Sequence, residues 1–229
     1  MPVDEWFTSD PHFGHRNIIN YCNRPFQDLS LPLDNRERWL VEEMDEHLIQ
    51  EWNKVVKPQD NVRLLGDAFY TGTLQRAVEV RMSLNGKIHF IEGNHDEHAR
   101  RMHFAQFHGT RGLSIASTFN SRFESWNRMD EVTINGQTIV LCHYAMREWH
   151  HALRGVWHLY GHTHASLRPF GKSVDVGVDN VQEIVPGAPM RPLHFDEIKA
   201  FMDKQEIGPH PKFENYYPGH PELEKTSIL

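Results

Sequence analysis

Residues 91–98 read Ile-Glu-Gly-Asn-His-Asp-Glu-His, and they follow the short apolar stretch from Ile88 to Ile91. An ordinary turn after a strand needs a glycine and an asparagine at most. It does not need the histidine and the aspartate that come directly behind them. The pattern therefore indicates a strand that ends in a functional site.

Four further polar clusters follow strand-like apolar runs in the same way. They are Asp10-Pro-His12, Gly66-Asp67, His143 and Gly161-His-Thr-His164. Each has an ordinary alternative, because Gly-Asp is common in turns and a lone strand-end histidine is commonly a hydrogen-bonded one. Open α/β sheets place their sites at strand ends, so the five clusters together predict one shared site.

The apolar periodicity predicts alternating strands and helices in the first part of the chain. Strands are predicted over residues 3–9, 62–65 and 87–92, and helices over 15–22, 34–55, 73–84 and 97–107. Thr73 is the expected N-cap of the third helix. Asn135-Gly136 predicts a hairpin between strands 131–134 and 137–142, and strands 157–160 and 173–178 follow. The predicted fold class is α/β, with helices covering a central sheet system.

The composition predicts one domain. The chain has 229 residues and 39% hydrophobic content, and no Gly/Ser-rich or Pro-rich linker divides residues 1–207. Residues 208–229 are rich in turn formers and are expected to be an extended or weakly ordered tail. A net charge of -7 argues against a broad basic face for nucleic acid.

The compartment is predicted from the cysteines and the N-terminus. Cys22 and Cys142 are far apart and have no metal-ligand spacing, so free thiols in a reducing compartment are expected, with one long-range disulfide as the alternative. Residues 1–6 are acidic without a long apolar run, and no stretch of the sequence approaches the ~18 apolar residues of a membrane span, so neither a secretory leader nor a span is expected. A cytoplasmic protein that does not enter a membrane is expected.

The polar clusters supply seven possible metal ligands. Carboxylate, imidazole and amide groups without a thiolate suit ions such as Mn²⁺, Fe²⁺, Zn²⁺ or Mg²⁺. Seven side chains are too many for one catalytic ion, so two ions that share one carboxylate are predicted. The glycines at 66, 93 and 161 are expected to allow sharp turns, and an extended backbone would place Asp10 with His12, and His162 with His164, on one face. The seven are Asp10, His12, Asp67, Asn94, His143, His162 and His164.

The five polar clusters, in this order, match the motifs of the calcineurin-like binuclear metallophosphoesterases. The chain resembles this family over roughly residues 3–180, and in particular its small bacterial and phage-type members. The resemblance implies a two-layered β-sandwich flanked by helices, in four α/β/β/α layers. It implies that a first ion is held by Asp10, His12, Asp67 and His164. It implies that a second ion is held by Asp67, Asn94, His143 and His162, with Asp67 as the bridge. Mn²⁺ is the first expectation, with Fe²⁺, Zn²⁺, Ni²⁺ or Mg²⁺ as alternatives.

The charges of such a centre favour phosphoester hydrolysis. Two divalent ions against two carboxylates leave the site positive even with a bridging hydroxide, which would attack a bound phosphate without a covalent enzyme intermediate. Asn94 would face the metal, so His95 is expected to point to the leaving group as general acid. Asp96 is expected either to orient His95 or to cap the helix that starts at Glu97.

Weaker expectations concern the surroundings of the site. His15, Arg24 and Arg147 are candidate substrate contacts, as is Arg168, although each also suits a solvated surface. Asp175 and Asp179 are candidate supports for His164. Gly66-Asp67 continues as Ala68-Phe-Tyr70, which departs from the protein Ser/Thr phosphatases. Purple acid phosphatases use a tyrosine in this position on ferric iron but have no histidine in the first motif, so Tyr70 is expected to pack or stack.

Three functions stay open at this point. The first is a hydrolase of small phosphoesters, either a phosphodiesterase or a nucleotide or small-molecule phosphatase. The second is a metal-dependent nuclease, which the acidic net charge disfavours. The third is a binding scaffold without catalysis, which the presence of every expected ligand disfavours. The sequence predicts no oligomeric state.

Overall fold

The computed structural model describes residues 3–108 and 123–208. The tail expected over residues 208–229 lies outside the described residues except for Gly208, and its boundary with the domain stays a prediction. Cys22 and Cys142 are both free thiols, as expected.

The described residues form nine strands in two sheets. In chain order they are β1 Glu5–Thr8, β2 Asn61–Leu64, β3 Lys87–Ile91, β4 Ser125–Asn127, β5 Met129–Ile134, β6 Gln137–Cys142, β7 Trp157–Tyr160, β8 Ser173–Asp175 and β9 Leu193–His194. The first sheet has the order β4-β3-β2-β1-β9, and the second has the order β5-β6-β7-β8. Neighbours among β1 to β4 are parallel, β9 is antiparallel to β1, and in the second sheet β6, β7 and β8 are parallel.

Six α-helices accompany the sheets within the described residues. They are α1 Arg16–Tyr21, α2 Val41–Val55, α3 Leu74–Ser83, α4 Glu97–His108, α5 Val181–Ile184 and α6 Phe195–Met202. Thr73 caps α3, because its hydroxyl accepts a hydrogen bond from the N–H of Arg76. Among the described residues, no helix is both long enough and apolar enough to cross a membrane.

The first sheet separates two apolar cores, because its side chains alternate between its faces. Trp6 and Val62 belong to the core that includes the apolar faces of α1 to α4. Phe7 and Leu65 belong to the second core, which also includes Ile139 and other side chains of the second sheet, together with α5 and α6. The expected arrangement of two sheets flanked by helices is therefore confirmed.

The hairpin between β5 and β6 has the predicted turn. Asn135 and Gly136 have φ values of 50° and 83°, as a two-residue turn with two left-handed positions requires. The predicted helix over 34–55 is divided instead into a short 3₁₀ turn, Arg36–Arg38, and α2. The predicted strand over 173–178 ends earlier, at Asp175, and a 3₁₀ turn begins at Val178. The sequence interpretation did not include β4, β9, α5 or α6.

Candidate metal centre

The five polar clusters converge where strands of the two sheets end. Asp10 follows β1, Asp67 follows β2 and Asn94 follows β3, while His143 follows β6 and His162 follows β7. The backbone also joins the two sheets here, since Ser9 pairs with Gly177 beyond the ends of β1 and β8. The C-terminal ends of parallel strands thus bring residues from both sheets to one site.

Most of the candidate ligands have a left-handed backbone, which is uncommon for residues other than glycine. The φ values are 56° at Asp10, 52° at His12, 51° at Asp67, 67° at His162 and 46° at His164. An extended backbone was expected for the pair Asp10 and His12 and for the pair His162 and His164. That prediction is therefore wrong. Such strain persists only where surrounding structure enforces it, and it is concentrated at functional sites.

The three glycines serve the site in two different ways. Gly66 has a φ of 93°, so it makes the sharp turn expected before Asp67. Gly93 and Gly161 are needed for space instead. A Cβ at Gly93 would overlap the Asp67 carboxylate, and one at Gly161 would overlap the side chains of Ser9 and Asp10.

One group of candidate donor atoms consists of Asp10, His12 and His164. Asp10 Oδ1 lies 3.9 Å from Nε2 of both histidines. Asp10 Oδ2 accepts a hydrogen bond from the N–H of His162 at 2.8 Å, so Oδ1 is the oxygen that faces the group. His164 uses Nδ1 to donate to Asp179 Oδ2 at 2.7 Å, which leaves Nε2 as the ring nitrogen that faces the group. Burial lowers the pKa of His164, but the hydrogen bonds and charges around it, first among them that of Asp179, raise this pKa to about 10.

A second group consists of Asp67, His143 and His162, and Asn94 joins it. His143 Nε2 lies 3.5 Å from Asp67 Oδ2 and 3.1 Å from Asn94 Oδ1. His143 Nδ1 faces the carbonyl oxygen of Leu65 at 2.8 Å, so this nitrogen donates and Nε2 is the ring nitrogen that faces Asp67 and Asn94. The hydrogen bond and charge of Asp67 and the charge of Asp10 raise the pKa of His143 to about 9 despite its burial. Asp67 Oδ2 also lies 3.6 Å from His12 Nε2, so it connects the two groups.

The donor atoms fit metal ions in both spacing and environment. Ligands about 2.1 Å from an ion in tetrahedral geometry lie roughly 3.4 Å apart, close to the separations seen here. Among the described residues, Asp10 Oδ1 and His12 Nε2 are buried without a hydrogen-bond partner. Buried polar atoms are rarely left unsatisfied, and these two face each other in one group. The residues therefore fit a pair of divalent ions.

The pKa values of Asp10 and Asp67 are shifted in opposite directions by their surroundings. Burial raises the pKa of Asp10 to about 7, against the opposing effect of His143 and His164. Burial would also raise the pKa of Asp67, but the hydrogen bond and charge of His143 outweigh it and hold the pKa at about 2. Asp10 is thus a buried carboxylate that lacks a sufficient cation, which a divalent ion would supply.

The family comparison decides what kind of domain this is. Residues 44–204 match the family model of the calcineurin-like phosphoesterase superfamily domain. The chain belongs to this family. The resemblance seen in the motifs is therefore confirmed, and membership indicates metal-dependent hydrolysis of phosphoesters as the general chemistry of the domain.

Two relatives and one solved structure resemble this phosphoesterase domain. An uncharacterized protein of Methanocaldococcus jannaschii is 37% identical over 125 residues, which is 53% of this chain and 64% of that protein. The Gene 66 protein of a Mycobacterium phage is 25% identical over 218 residues, covering 89% of this chain and 98% of the phage protein. A protein of unknown function from Aquifex aeolicus shares the fold, with a TM-score of 0.57, 17% identity, and coverage of 87% of this chain and 100% of its own.

Arg24 does not face the substrate side of the phosphoesterase site, so its expected role in substrate binding is wrong. The side chain is fully buried. Nε and Nη2 donate to the two carboxylate oxygens of Asp179, each at 2.8 Å. The remaining donors reach the carbonyl oxygens of Pro11 and Asp10. Arg24 therefore supports the first group from behind, through Asp179 and through the loop that carries Asp10 and His12.

The Asp96 carboxylate contacts backbone groups, which differs from both roles expected of it. Its oxygens accept hydrogen bonds from the N–H groups of Asp67, Ala68 and Gly93, between 2.7 and 2.9 Å. Burial raises the pKa of Asp96 to about 6 despite these bonds. Asp96 thus ties the loop after β2 to the loop after β3.

His95 lies at the mouth of the site, where its exposed ring faces the candidate donors. Its backbone N–H donates to Asp67 Oδ1 at 2.8 Å. Its ring lies 5.8 Å from the ring of His12 and 5.5 Å from the ring of Tyr70. The side chain is therefore carried by a backbone that is fixed to Asp67, and it stands in the open cleft.

The remaining candidate residues fall in different places. His15 lines the cleft, where its Nδ1 lies 3.2 Å from Nδ1 of His12 and its ring lies 4.1 Å from that of Tyr70. Tyr70 therefore stacks, as expected. Arg147 and Arg168 are exposed and do not line this cleft.

Of the two aspartates expected to support His164, Asp179 contacts it directly and Asp175 does not. Asp175 Oδ2 accepts from the Thr163 hydroxyl and from the N–H of Ala165, so it holds the turn around His164.

Proposed function

We propose that this phosphoesterase domain hydrolyses small phosphoesters, as a phosphodiesterase or as a phosphatase of nucleotides or small molecules. Two divalent ions are its proposed cofactors, with Mn²⁺ first. The observation that supports this proposal is the pair of donor groups that meet at the Asp67 carboxylate. Its Oδ2 lies 3.6 Å from His12 Nε2 and 3.5 Å from His143 Nε2.

The chain's own residues prepare the site before any substrate enters. Asp179 and the Leu65 carbonyl each accept from the Nδ1 of one histidine, His164 and His143 respectively, so that both Nε2 atoms face inward, where a divalent ion would take the place of their protons. When bound, divalent ions supply the Lewis acidity that polarises a phosphoester and makes water a nucleophile near neutral pH. The ligands proposed for the first ion are Asp10, His12, Asp67 and His164, and those for the second are Asp67, Asn94, His143 and His162.

His95 is the proposed general acid. Its ring stands in the cleft beside the donor groups, and its backbone is anchored to Asp67. A proton that leaves the imidazole would neutralise the oxygen of the departing group as the ester bond breaks. Asp96 contributes by holding the two loops together, through the three backbone hydrogen bonds that it accepts.

A substrate panel tests the proposed function. Metal-free protein is supplied with Mn²⁺, and hydrolysis of bis-p-nitrophenyl phosphate is compared with that of p-nitrophenyl phosphate and of a nucleotide. Hydrolysis that requires added metal is expected. Degradation of plasmid or single-stranded DNA at a higher rate than any small ester would favour the nuclease instead. No hydrolysis of any of these with any divalent metal would contradict the proposal.

Replacement of His95 tests the general acid. His95→Ala is expected to lower kcat by about 10²–10⁴-fold on an ester with a poor leaving group, with the metal content unchanged. The control is His150→Ala, since His150 is exposed and contacts Glu131 away from the cleft. Unchanged turnover of the poor leaving group in His95→Ala would exclude this role for His95.

A further inference from the structure

The cleft in front of the donor groups has aromatic walls that the proposed hydrolysis does not require. It has a volume of about 570 Å³ and is lined by Tyr21 and Tyr70 in addition to five of the seven candidate ligands, all except Asp10 and His143. Tyr21 is 70% exposed and Tyr70 is 46% exposed. Exposed aromatic rings that are concentrated in one cleft mark a binding surface more than rings scattered singly over a protein.

The rings form a continuous surface that starts at the metal group. The His15 ring lies 5.1 Å from that of His12 and 4.1 Å from that of Tyr70, at an interplanar angle of 30° to the latter. The His15 ring also meets the Tyr21 ring in an edge-to-face arrangement, with 6.3 Å between the ring centroids. Tyr70 is also held at its edge by His95, at 5.5 Å. A flat group attached to a phosphate at the centre would therefore meet rings that are already held in place.

Asn17 adds a polar group to the same wall. It precedes Tyr21 by four residues in α1, so the two side chains share one face of the helix. Asn17 lines the cleft, is exposed, and makes no side-chain hydrogen bond within the part of the chain that the structure describes. Its amide offers both a donor and an acceptor, the pair of groups with which asparagine recognises the edge of a nucleobase.

We propose that the cleft selects nucleoside phosphoesters, with the base against the face of one tyrosine ring and the edge of the other, Tyr21 and Tyr70, and with its polar edge read by Asn17. This inference rests on the proposed function, because the phosphate of the ligand would lie at the metal centre. An aliphatic phosphoester would leave the aromatic wall and the Asn17 amide unused. A phenyl phosphoester would use the wall and leave the amide unused.

Phosphonates that cannot be hydrolysed test the inference by binding alone. Calorimetry on the Mn²⁺-supplemented protein compares the methylene phosphonate analogue of adenosine monophosphate with methylphosphonate and benzylphosphonate. Stacking of one base on an aromatic residue corresponds to roughly tenfold in affinity. The nucleoside probe is expected to bind at least about tenfold more tightly than either of the other probes.

Variants test whether the affinity for the nucleoside probe comes from the aromatic wall of the cleft. Tyr21→Leu and Tyr70→Leu are each expected to weaken the nucleoside probe by about tenfold and to leave methylphosphonate unchanged. Tyr70→Phe is expected to retain the affinity, and Asn17→Ala is expected to weaken the nucleoside probe without affecting benzylphosphonate. Phe170→Leu is the control, because Phe170 is 53% exposed and does not line the cleft.

The outcomes separate this inference from the proposed function. If ester hydrolysis occurs but the nucleoside probe binds no better than benzylphosphonate, the inference is wrong and the hydrolase stands. The same holds if the tyrosine variants weaken all probes equally. If the protein binds no phosphonate and hydrolyses no ester with any metal, both the inference and the proposed function are wrong.

Discussion

The two donor groups contain similar side chains but are supported differently. Asp10 and His12 of the first group are buried, and a buried ion pair between Arg24 and Asp179 stands behind them. In the second group, Asn94 and His162 are exposed, and the nitrogen of His143 that points away from the group is oriented by the Leu65 carbonyl. The first group is therefore held by charged side chains, whereas the second depends on loop backbone.

This difference predicts how the two groups tolerate change. The ligands of the first group depend on Arg24 and Asp179, which are distant from each other in sequence. Replacement of either residue should disturb those ligands without changing the substrate cleft. A ligand held by a carbonyl offers no such side chain to remove. Variants of the supporting residues should thus change metal binding in one group only, whereas variants of Asp67, which both groups share, should change it in both.

Asp67→Asn is expected to have the largest effect, because Asp67 Oδ2 is close to histidines of both groups. Loss of the shared carboxylate should remove metal from both groups and lower the hydrolysis rate by at least about 10³-fold, since the ions supply several kcal/mol to catalysis. Metal analysis and initial rates measure this. Asp203→Asn is the control on an exposed aspartate. Retention of a full metal complement in Asp67→Asn would show that the groups do not share it.

Arg24→Met is expected to destabilise the metal-free protein by about 3–5 kcal/mol. It removes one partner of a buried ion pair and leaves the Asp179 carboxylate without its cation. Urea unfolding measures the change in the free energy of unfolding. Arg154→Met, at an exposed arginine, should change it by less than about 0.5 kcal/mol. Equal stability of the two variants would contradict the support role of Arg24.

Asp179→Asn is expected to have a smaller and more selective effect on metal binding than Asp67→Asn, although it also removes the anion that pairs with buried Arg24. The amide has the shape of the carboxylate but lacks the charge that orients His164. The affinity of one ion should fall by about 10–100-fold, while that of the other ion stays unchanged. Calorimetric titration with Mn²⁺ reports both affinities. If both fall equally, the separation of the two groups is wrong.

Much of this centre could be predicted from sequence, because its chemistry lies in short clusters directly after strands. Asp10, Asp67, Asn94, His143 and His162 were all placed after apolar runs, and the structure brings them together. The signal is local, since a strand and the polar residue that follows it are adjacent in the chain.

The supports of the centre could not be predicted in this way. Arg24 bonds to Asp179 across 155 positions, and no pattern near Asn23-Arg24-Pro25 indicates that partner. The left-handed backbone at Asp10 and His12 is also set by distant contacts, such as the hydrogen bond from the Asp10 N–H to the Gly66 carbonyl. Both roles predicted for Asp96, orientation of His95 or a cap of the helix from Glu97, concern neighbours in the chain, whereas its hydrogen bonds reach the loop after β2.

Titration of the metal-free protein with Mn²⁺ tests the central claim most directly. The two donor groups predict that two ions bind per chain, and that the same titration of Asp67→Asn shows a loss at both sites. Calorimetry with parallel metal analysis gives the stoichiometry. Saturation at one ion per chain, or no binding at all, would contradict a centre built from two groups that share Asp67.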